Sequence, residues 1–178
     1  MKLVILDRDG VINQDSADFI KNHNEWIPIP DCLESIARLN QHGFSIIIAT
    51  NQSGIGRGLF DIETMNAINK KMLDLLAQVG GHIDAIFYCP HTEDANCKCR
   101  KPKSGMLEEI STRFGVSLKN IPAVGDAARD LEAYQSVSAQ PILVKTGKGE
   151  DTFVSKAYPK NTWIFNNLSE AVDKILKK

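Results

Sequence analysis

Short apolar runs alternate with amphipathic segments along the chain. The apolar runs predict five strands and a weaker sixth, at residues 3–6, 45–49, 85–88, 122–124, 141–144 and 162–165. Apolar residues at helical spacing predict helices at about residues 31–41, 61–79, 104–114, 128–135 and 169–176. This alternation is typical of a parallel sheet covered by helices. We therefore expect a doubly wound α/β fold, in which ligands bind beyond the carboxyl ends of the strands.

The length of 178 residues is sufficient for one domain with a substantial core, and we expect a single domain over residues 1–178. The 21 Lys and Arg residues balance the 22 Asp and Glu residues, so the sequence lacks the basic excess of a general nucleic-acid binder. The sequence has neither the apolar region of a signal peptide nor a membrane-spanning run. We expect a cytoplasmic protein that acts on a small partner, with no role for nucleic acid or membrane. Nothing in the sequence requires more than a monomer.

The sequence Asp7-Arg8-Asp9-Gly10 directly follows the first apolar run. Side chains two positions apart in an extended chain lie on the same side, so this spacing brings the carboxylates of Asp7 and Asp9 close together. Carboxylates this close repel each other, and a bound cation or a shared proton is the usual remedy. Asp7 is then a candidate nucleophile, and Asp9 is a candidate general acid/base. The alternative is an Asx turn at the end of a strand.

Polar residues also follow the later predicted strands. Residues 50–54, Thr-Asn-Gln-Ser-Gly, combine a hydroxyl with the backbone amides of a turn, which together can hold a phosphate, although such a stretch alone is also an ordinary turn. Arg100 and Lys101 offer two cations to an anion, although adjacent basic residues are often simply a solvated surface. Asp126 can give an oxygen to a hard cation. Asp130 fits either a charge at a helix N-terminus or an outer partner of the site.

Three of the four cysteines lie within eleven positions of one another, together with a histidine. Cys89, His91, Cys97 and Cys99 have the spacing C-x-H-x5-C-x-C. Three thiolates and one imidazole make a closed tetrahedral set for zinc, without a position for catalytic water. We therefore expect a structural zinc site that fixes Arg100 and Lys101 next to it. The alternative is a group of buried thiols with an incidental histidine.

The carboxylate, hydroxyl, lysine and Gly-Asp motifs, in this order, resemble those of the haloacid-dehalogenase-like (HAD) phosphatases over essentially the whole chain. The resemblance implies a three-layer α/β/α Rossmann-like fold with a parallel central sheet and a small zinc-binding loop. No stretch between the motifs is long enough for a separate cap domain. The resemblance also implies that Asp7 attacks phosphorus, that Asp9 is the general acid/base, and that Thr50 and Lys101 stabilise the transferring phosphoryl group. It further implies a catalytic Mg²⁺ bound by Asp7, Asp126 and the main-chain carbonyl of Asp9.

Within this family, the sequences DRDG, TNQSGIGRG and CRKP look like those of bacterial phosphatases that act on a bisphosphorylated heptose in nucleotide-heptose synthesis. The substrate contacts implied by this resemblance are Asp7, Arg8, Asp9, Asp15, Ser16, Ala17, Asp18, Thr50, Asn51, Gln52, Ser53, Arg100 and Lys101. Arg100 is the candidate specificity residue. The chain departs from some relatives in two respects, since position 127 is Ala rather than a Lys that helps to hold metal or substrate, and residues 15–18 contain no aromatic residue.

Two other functions compete with this one. Histidinol-phosphate phosphatases share the chemistry and a similar zinc loop, but the TNQSGIGRG stretch and Arg100 favour a sugar bisphosphate, because a second phosphate requires additional cations. A noncatalytic zinc module that binds nucleic acid is disfavoured by the near-neutral charge and by the few clustered aromatic residues. The preferred sugar anomer and the glycoconjugate that the product enters are left open by the sequence.

Overall fold

The computed structural model describes residues 2–177, and its centre is a six-stranded sheet in which all neighbouring strands are parallel. The strands are β1 (Lys2–Leu6), β2 (Phe44–Asn51), β3 (Ala85–Cys89), β4 (Pro122–Gly125), β5 (Gln140–Val144) and β6 (Trp163–Phe165). Their spatial order is β3-β2-β1-β4-β5-β6. The predicted doubly wound fold is confirmed, including the weaker sixth strand.

Seven α-helices connect or follow the strands in the described part of the chain, and a short 3-10 helix lies at Glu93–Ala95. The α-helices are α1 (Cys32–Gln41), α2 (Ser53–Gly56), α3 (Ile62–Gln78), α4 (Gly105–Phe114), α5 (Ala128–Ser136), α6 (Gly149–Val154) and α7 (Leu168–Leu176). The five predicted helices are confirmed, each within one residue at either end. Sequence reasoning missed α2 and α6, because helices of four and six residues are too short to produce a helical period. Within residues 2–177, no helix has both the length and the apolar character needed to span a membrane.

The sheet separates two hydrophobic cores. Side chains of β1 alternate between them, so Leu3 and Ile5 pack with α4 and α5, whereas Val4 and Leu6 pack with α1, α3 and α7. All four side chains are almost completely buried. The predicted three-layer α/β/α arrangement is therefore confirmed.

The order of the strands reverses between β1 and β4. In α/β sheets a crevice opens at such a switch point, beyond the carboxyl ends of the strands. Asp7 immediately follows β1, and its amide continues the ladder by donating to the Val124 carbonyl at 2.9 Å. Asp126 immediately follows β4. The topology thus places these two carboxylates on opposite sides of one crevice.

Candidate active site

Three carboxylates meet at the bottom of this crevice. Asp7, Asp126 and Asp130 each offer an oxygen within 4.8 Å of the others, and all three residues are buried. Burial raises the pKa of Asp7 to about 6 and that of Asp126 to about 8, and the neighbouring carboxylates add to both shifts. Carboxylate oxygens are the ligands that Mg²⁺ prefers, so this donor set fits the expected metal. The Asp9 side chain is not part of the cluster, which leaves its main-chain carbonyl as the expected ligand.

Lys101 lies against this cluster with its side chain completely buried. Its ammonium group donates to the Ala49 carbonyl at 2.7 Å and forms ion pairs with Asp130 at 2.7 Å and Asp7 at 3.2 Å. Burial alone would lower the Lys101 pKa, but the charges of Asp130 and Asp7 outweigh it and hold the pKa above its usual value. Asn51 fixes the Lys101 backbone, because its side chain accepts from the Lys101 amide and donates to the Lys101 carbonyl. Asp130 fills both of the roles left open for it. It lies in the first turn of α5, where its carboxylate accepts from the Ala127 amide at 3.0 Å, and it is also an outer partner of the site that holds Lys101.

Asp9 is surrounded by hydrogen-bond donors. Its carboxylate accepts from Arg8 Nε at 3.1 Å, from Asn13 Nδ2 at 2.9 Å and from Gln52 Nε2 at 2.9 Å. Burial alone would raise the Asp9 pKa, but Arg8 and these hydrogen bonds lower it. Gln52 also donates to the Thr50 hydroxyl at 2.8 Å. Asp9 is therefore ionised and oriented, which is the state that can accept a proton from water.

A cavity of about 250 Å³ opens above these groups. Most of the predicted contact residues line it, namely Asp7, Asp9, Asp15, Ser16, Ala17, Thr50, Asn51, Gln52, Ser53 and Arg100, together with Asp126. Three predicted contacts do not. The Lys101 side chain lies beneath the cavity, Asp18 is exposed outside it, and the Arg8 side chain is fully buried, where it donates to Asp9 and to Asn69. The geometry gives the Arg8 side chain the task of orienting Asp9.

Sequence reasoning missed several residues that line the cavity, namely Phe19, Ile20, Glu93, Arg129 and Lys148, and it noted Arg57 only as part of the TNQSGIGRG stretch. Arg129 lies two positions after Ala127, so a cation is present near the position where some relatives have a lysine. Phe19 directly follows residues 15–18 and supplies an aromatic ring at their border. Lys148 lies in the loop after β5, and the rule that ligands bind beyond strand ends could have indicated that loop.

The loop after β5 also supports the carboxylate cluster. The Lys148 amide donates to Asp126 Oδ2 at 2.7 Å, and the Thr146 hydroxyl donates to the Gly10 carbonyl at 2.6 Å. Gly147 has a positive φ of 57°, and a Cβ there would collide with the Asp126 carboxylate and with the Gly10 backbone. This loop therefore holds Asp126 against the loop that carries Asp7.

The predicted zinc ligands come together at one edge of the crevice. Cys89 Sγ lies 3.2 Å from Cys99 Sγ and 3.6 Å from both Cys97 Sγ and His91 Nδ1. Tetrahedral zinc with Zn–S bonds of about 2.3 Å separates its sulfur ligands by about 3.8 Å, so the donor set and its spacing fit zinc. Arg100 follows this cluster directly, donates to the His91 carbonyl at 3.3 Å and pairs with Glu93 at 3.4 Å.

The chain is similar to known proteins over most or all of its length. The chain matches the family model described as polynucleotide kinase 3 phosphatase over residues 2–162. It is 49% identical over 178 residues to the D-glycero-beta-D-manno-heptose-1,7-bisphosphate 7-phosphatase of Bordetella bronchiseptica. This match covers 100% of this chain and 99% of that protein. The chain is 50% identical over 175 residues to the protein of the same name from Pseudomonas aeruginosa, which covers 98% of each chain.

A solved structure shares the complete fold. The crystal structure of D,D-heptose 1,7-bisphosphate phosphatase from B. bronchiseptica, complexed with magnesium and phosphate, superposes with a TM-score of 0.98. The sequence identity is 49%, and the match covers 99% of both chains. The backbone likeness thus extends over the segments of this chain that form the sheet, the cavity and the cysteine cluster.

Proposed function

The chain belongs to the D-glycero-beta-D-manno-heptose-1,7-bisphosphate 7-phosphatases, and we propose that it removes the 7-phosphate of the beta anomer of that heptose bisphosphate. It is a phosphoric monoester hydrolase with a HAD-like fold. The observation that carries the proposal is the match to a magnesium- and phosphate-bound heptose bisphosphate phosphatase over 99% of both chains. All the residues assigned below lie at one edge of one sheet, which supports a single catalytic domain.

Asp7 is the proposed nucleophile. One of its carboxylate oxygens attacks phosphorus, the bond between phosphorus and the C7 oxygen breaks, and a phosphate ester of Asp7 forms. Asp9 gives a proton to the departing C7 oxygen. Water then attacks the phosphorus of the ester, gives a proton to Asp9, and releases inorganic phosphate and free Asp7. The lowered pKa of Asp9 suits the second step, whereas the first requires that Asp9 carry a proton before the sugar leaves.

Mg²⁺ is the proposed catalytic cofactor, with Asp7, Asp126 and the Asp9 main-chain carbonyl as ligands. When bound, it would neutralise charge on the phosphoryl oxygens and on the carboxylates. Lys101 holds Asp7 in place through the ion pair at 3.2 Å and adds positive charge beneath the reacting group. The Thr50 hydroxyl accepts from Gln52 and so keeps its own proton free for a phosphoryl oxygen.

Zn²⁺ is the proposed structural metal, held by Cys89, His91, Cys97 and Cys99. Its site is closed by four protein ligands, so we assign it no chemical step. The zinc loop is the segment that carries these four ligands. The contact between Arg100 and the His91 carbonyl supports the proposal that this loop positions Arg100, because it would fix the direction of the guanidinium. Arg100 remains the proposed specificity residue.

The test is phosphate release from purified protein with Mg²⁺ and four separate compounds. These are the beta and alpha anomers of the heptose 1,7-bisphosphate, histidinol phosphate, and heptose 7-phosphate. We expect the highest kcat/KM for the beta anomer. A higher kcat/KM for histidinol phosphate would replace the proposal by the competing phosphatase.

Asp7→Asn tests the mechanism, because an amide cannot attack phosphorus, and we expect no detectable turnover. Asp173→Asn is the matched control, since Asp173 forms an exposed ion pair with Arg38 away from the cavity. Unchanged activity in the Asp7 variant would refute the catalytic assignment and would leave the noncatalytic zinc module as the better explanation.

A further inference from the structure

The proposed substrate carries two phosphates, and the catalytic residues and Mg²⁺ ligands assigned above act at the reacting one. The inference below rests on the proposed function and concerns the second phosphate. Four cations line the cavity, namely Arg57, Arg100, Arg129 and Lys148. Arg100 pairs with Glu93 at 3.4 Å, and Lys148 pairs with Asp15 at 3.3 Å. These two cations already have a carboxylate partner in the cavity wall.

Arg57 has no such partner. Within residues 2–177, its guanidinium has one interaction, a cation–π contact 5.9 Å from the centre of the Phe19 ring. The residue is exposed, so the guanidinium is free to bind an anion from solvent. Its planar set of donors matches two oxygens of a phosphate.

The fold nevertheless fixes the backbone that carries Arg57. The Arg57 amide donates to the Ser53 carbonyl at 2.9 Å, at the end of α2. The preceding Gly56 amide donates at 2.9 Å to the carbonyl of Pro90, which lies between the zinc ligands Cys89 and His91. A Cβ at Gly56 would approach the same carbonyl oxygen to 2.6 Å. The Arg57 side chain therefore starts from a rigid point between the Thr50 loop and the zinc loop.

Phe19 is held opposite Arg57 at a conformational cost. Its φ of 65° lies in the left-handed region, which is unfavourable for an aromatic residue and is often associated with functional sites. The turn is maintained because the Phe19 amide donates to the Ser16 carbonyl at 3.2 Å, and Lys21 Nζ donates to the Asp18 carbonyl at 2.7 Å. The ring and the guanidinium thus meet across the rim of the cavity.

The remaining cation, Arg129, lies nearer the reacting end. It lies in the first turn of α5, directly before Asp130, whereas Arg57 follows the end of α2 and meets the Phe19 ring. Asp130 and Asp7 are the residues that hold Lys101 beneath the reacting group. Arg129 is thus next to a member of the carboxylate cluster, whereas Arg57 reaches the cavity from another segment of the chain.

We propose that Arg57, supported by the Phe19 ring, binds the non-reacting phosphate of the sugar bisphosphate. The contact is a charge-assisted hydrogen bond from the guanidinium to phosphate oxygens, and no bond of the substrate changes there. The 1-phosphate of heptose 1,7-bisphosphate is the group that fits, because the 7-phosphate occupies the site above Asp7.

The test uses the reaction product, heptose 1-phosphate, which retains only the second phosphate. In the Mg²⁺- and zinc-loaded protein, we expect Arg57→Met to raise the inhibition constant of heptose 1-phosphate about tenfold or more, with a much smaller change for inorganic phosphate. The ratio of kcat/KM for the bisphosphate to kcat/KM for heptose 7-phosphate should fall by a similar factor. Arg113→Met is the matched control, since Arg113 is an exposed arginine 6.0 Å from the ring of Phe87 and lies outside the cavity.

Two outcomes would overturn the inference. One is an unchanged inhibition constant for heptose 1-phosphate in Arg57→Met, and the other is an equal rise for inorganic phosphate. Both require a wild-type protein that hydrolyses the bisphosphate. A wild-type protein that does not hydrolyse it contradicts the proposed function instead, so the two failures are distinguishable.

Discussion

Replacing Asp130 by Asn would remove the charge that holds Lys101 without changing the size of the side chain. Removing one partner of a buried ion pair costs about 3–5 kcal/mol, because the other charge stays buried without its partner. Lys101 would keep the Ala49 carbonyl at 2.7 Å and Asp7 at 3.2 Å. We therefore expect a loss of about 3 kcal/mol in the free energy of unfolding, at the lower end of that range.

The same substitution should also reduce turnover. Lys101 is now shared between Asp130 and Asp7, and without Asp130 it would pair with the nucleophile alone. A carboxylate in a tighter ion pair is a weaker nucleophile. We expect kcat to fall about tenfold, which corresponds to roughly 1.4 kcal/mol in the activation free energy. KM should change less than kcat, because the Asp130 side chain does not line the cavity.

Urea unfolding and steady-state kinetics at saturating Mg²⁺ would measure both effects. Asp173→Asn is a suitable control, since it breaks an exposed aspartate–arginine pair and should change the free energy of unfolding by at most ~0.5 kcal/mol. If Asp130→Asn matched this control in stability and in kcat, the ion pair with Asp130 would not be what positions Lys101.

Three further predictions concern the metals and the loop after β5. Cys97→Ser should lower zinc content and turnover together, whereas Cys32→Ser, outside the cluster, should keep its zinc. Full activity in a zinc-free Cys97 variant would contradict the proposal that zinc positions Arg100. Burial raises the Asp126 pKa from 3.8 to about 8, so the metal-free protein should lose stability as pH rises between these values. Because Mg²⁺ binds the ionised carboxylate, the rise in Tm on adding Mg²⁺ should be larger at pH 8 than at pH 5.5. Gly147→Ala should weaken Mg²⁺ binding measured by calorimetry, because its Cβ collides with Asp126. Gly80→Ala is the control, since that glycine also has a positive φ but no atom near its Cβ, and equal Mg²⁺ affinities would refute the role of the loop.

Sequence reasoning located the bottom of the site well because strand ends are a strong constraint. Thr50 lies near the end of β2, and Asp7 and Asp126 directly follow β1 and β4. These three strands are neighbours in the sheet, and the carboxyl ends of parallel strands share one edge. The cysteine cluster could be predicted equally well, since its ligands are close in sequence and few metals bind three thiolates and one imidazole. These residues could be grouped without knowing how any long loop folds.

The upper part of the cavity could not be predicted from strand ends or from local spacing. The position of Phe19 depends on a turn with a positive φ, and the contact between Phe19 and Arg57 joins segments that are distant in sequence. Arg8 illustrates a different limit. Asp7 and Asp9 line the cavity, whereas the Arg8 side chain between them is fully buried and donates to Asp9 and Asn69, so sequence adjacency to a catalytic residue did not make it part of the cavity wall.

The charges at the bottom of the cavity explain why this site should depend on a metal. Three buried carboxylates face one another, and the buried Lys101 forms ion pairs with only two of them. Burial raises the pKa of Asp7 to about 6 and that of Asp126 to about 8. Without a further cation, protonation therefore removes part of the negative charge. At neutral pH a pKa of about 6 leaves Asp7 mostly ionised and able to attack phosphorus, whereas a pKa of about 8 leaves Asp126 mostly protonated. A divalent cation would keep Asp126 ionised, so the burial of Asp126 is what would couple Mg²⁺ binding to pH.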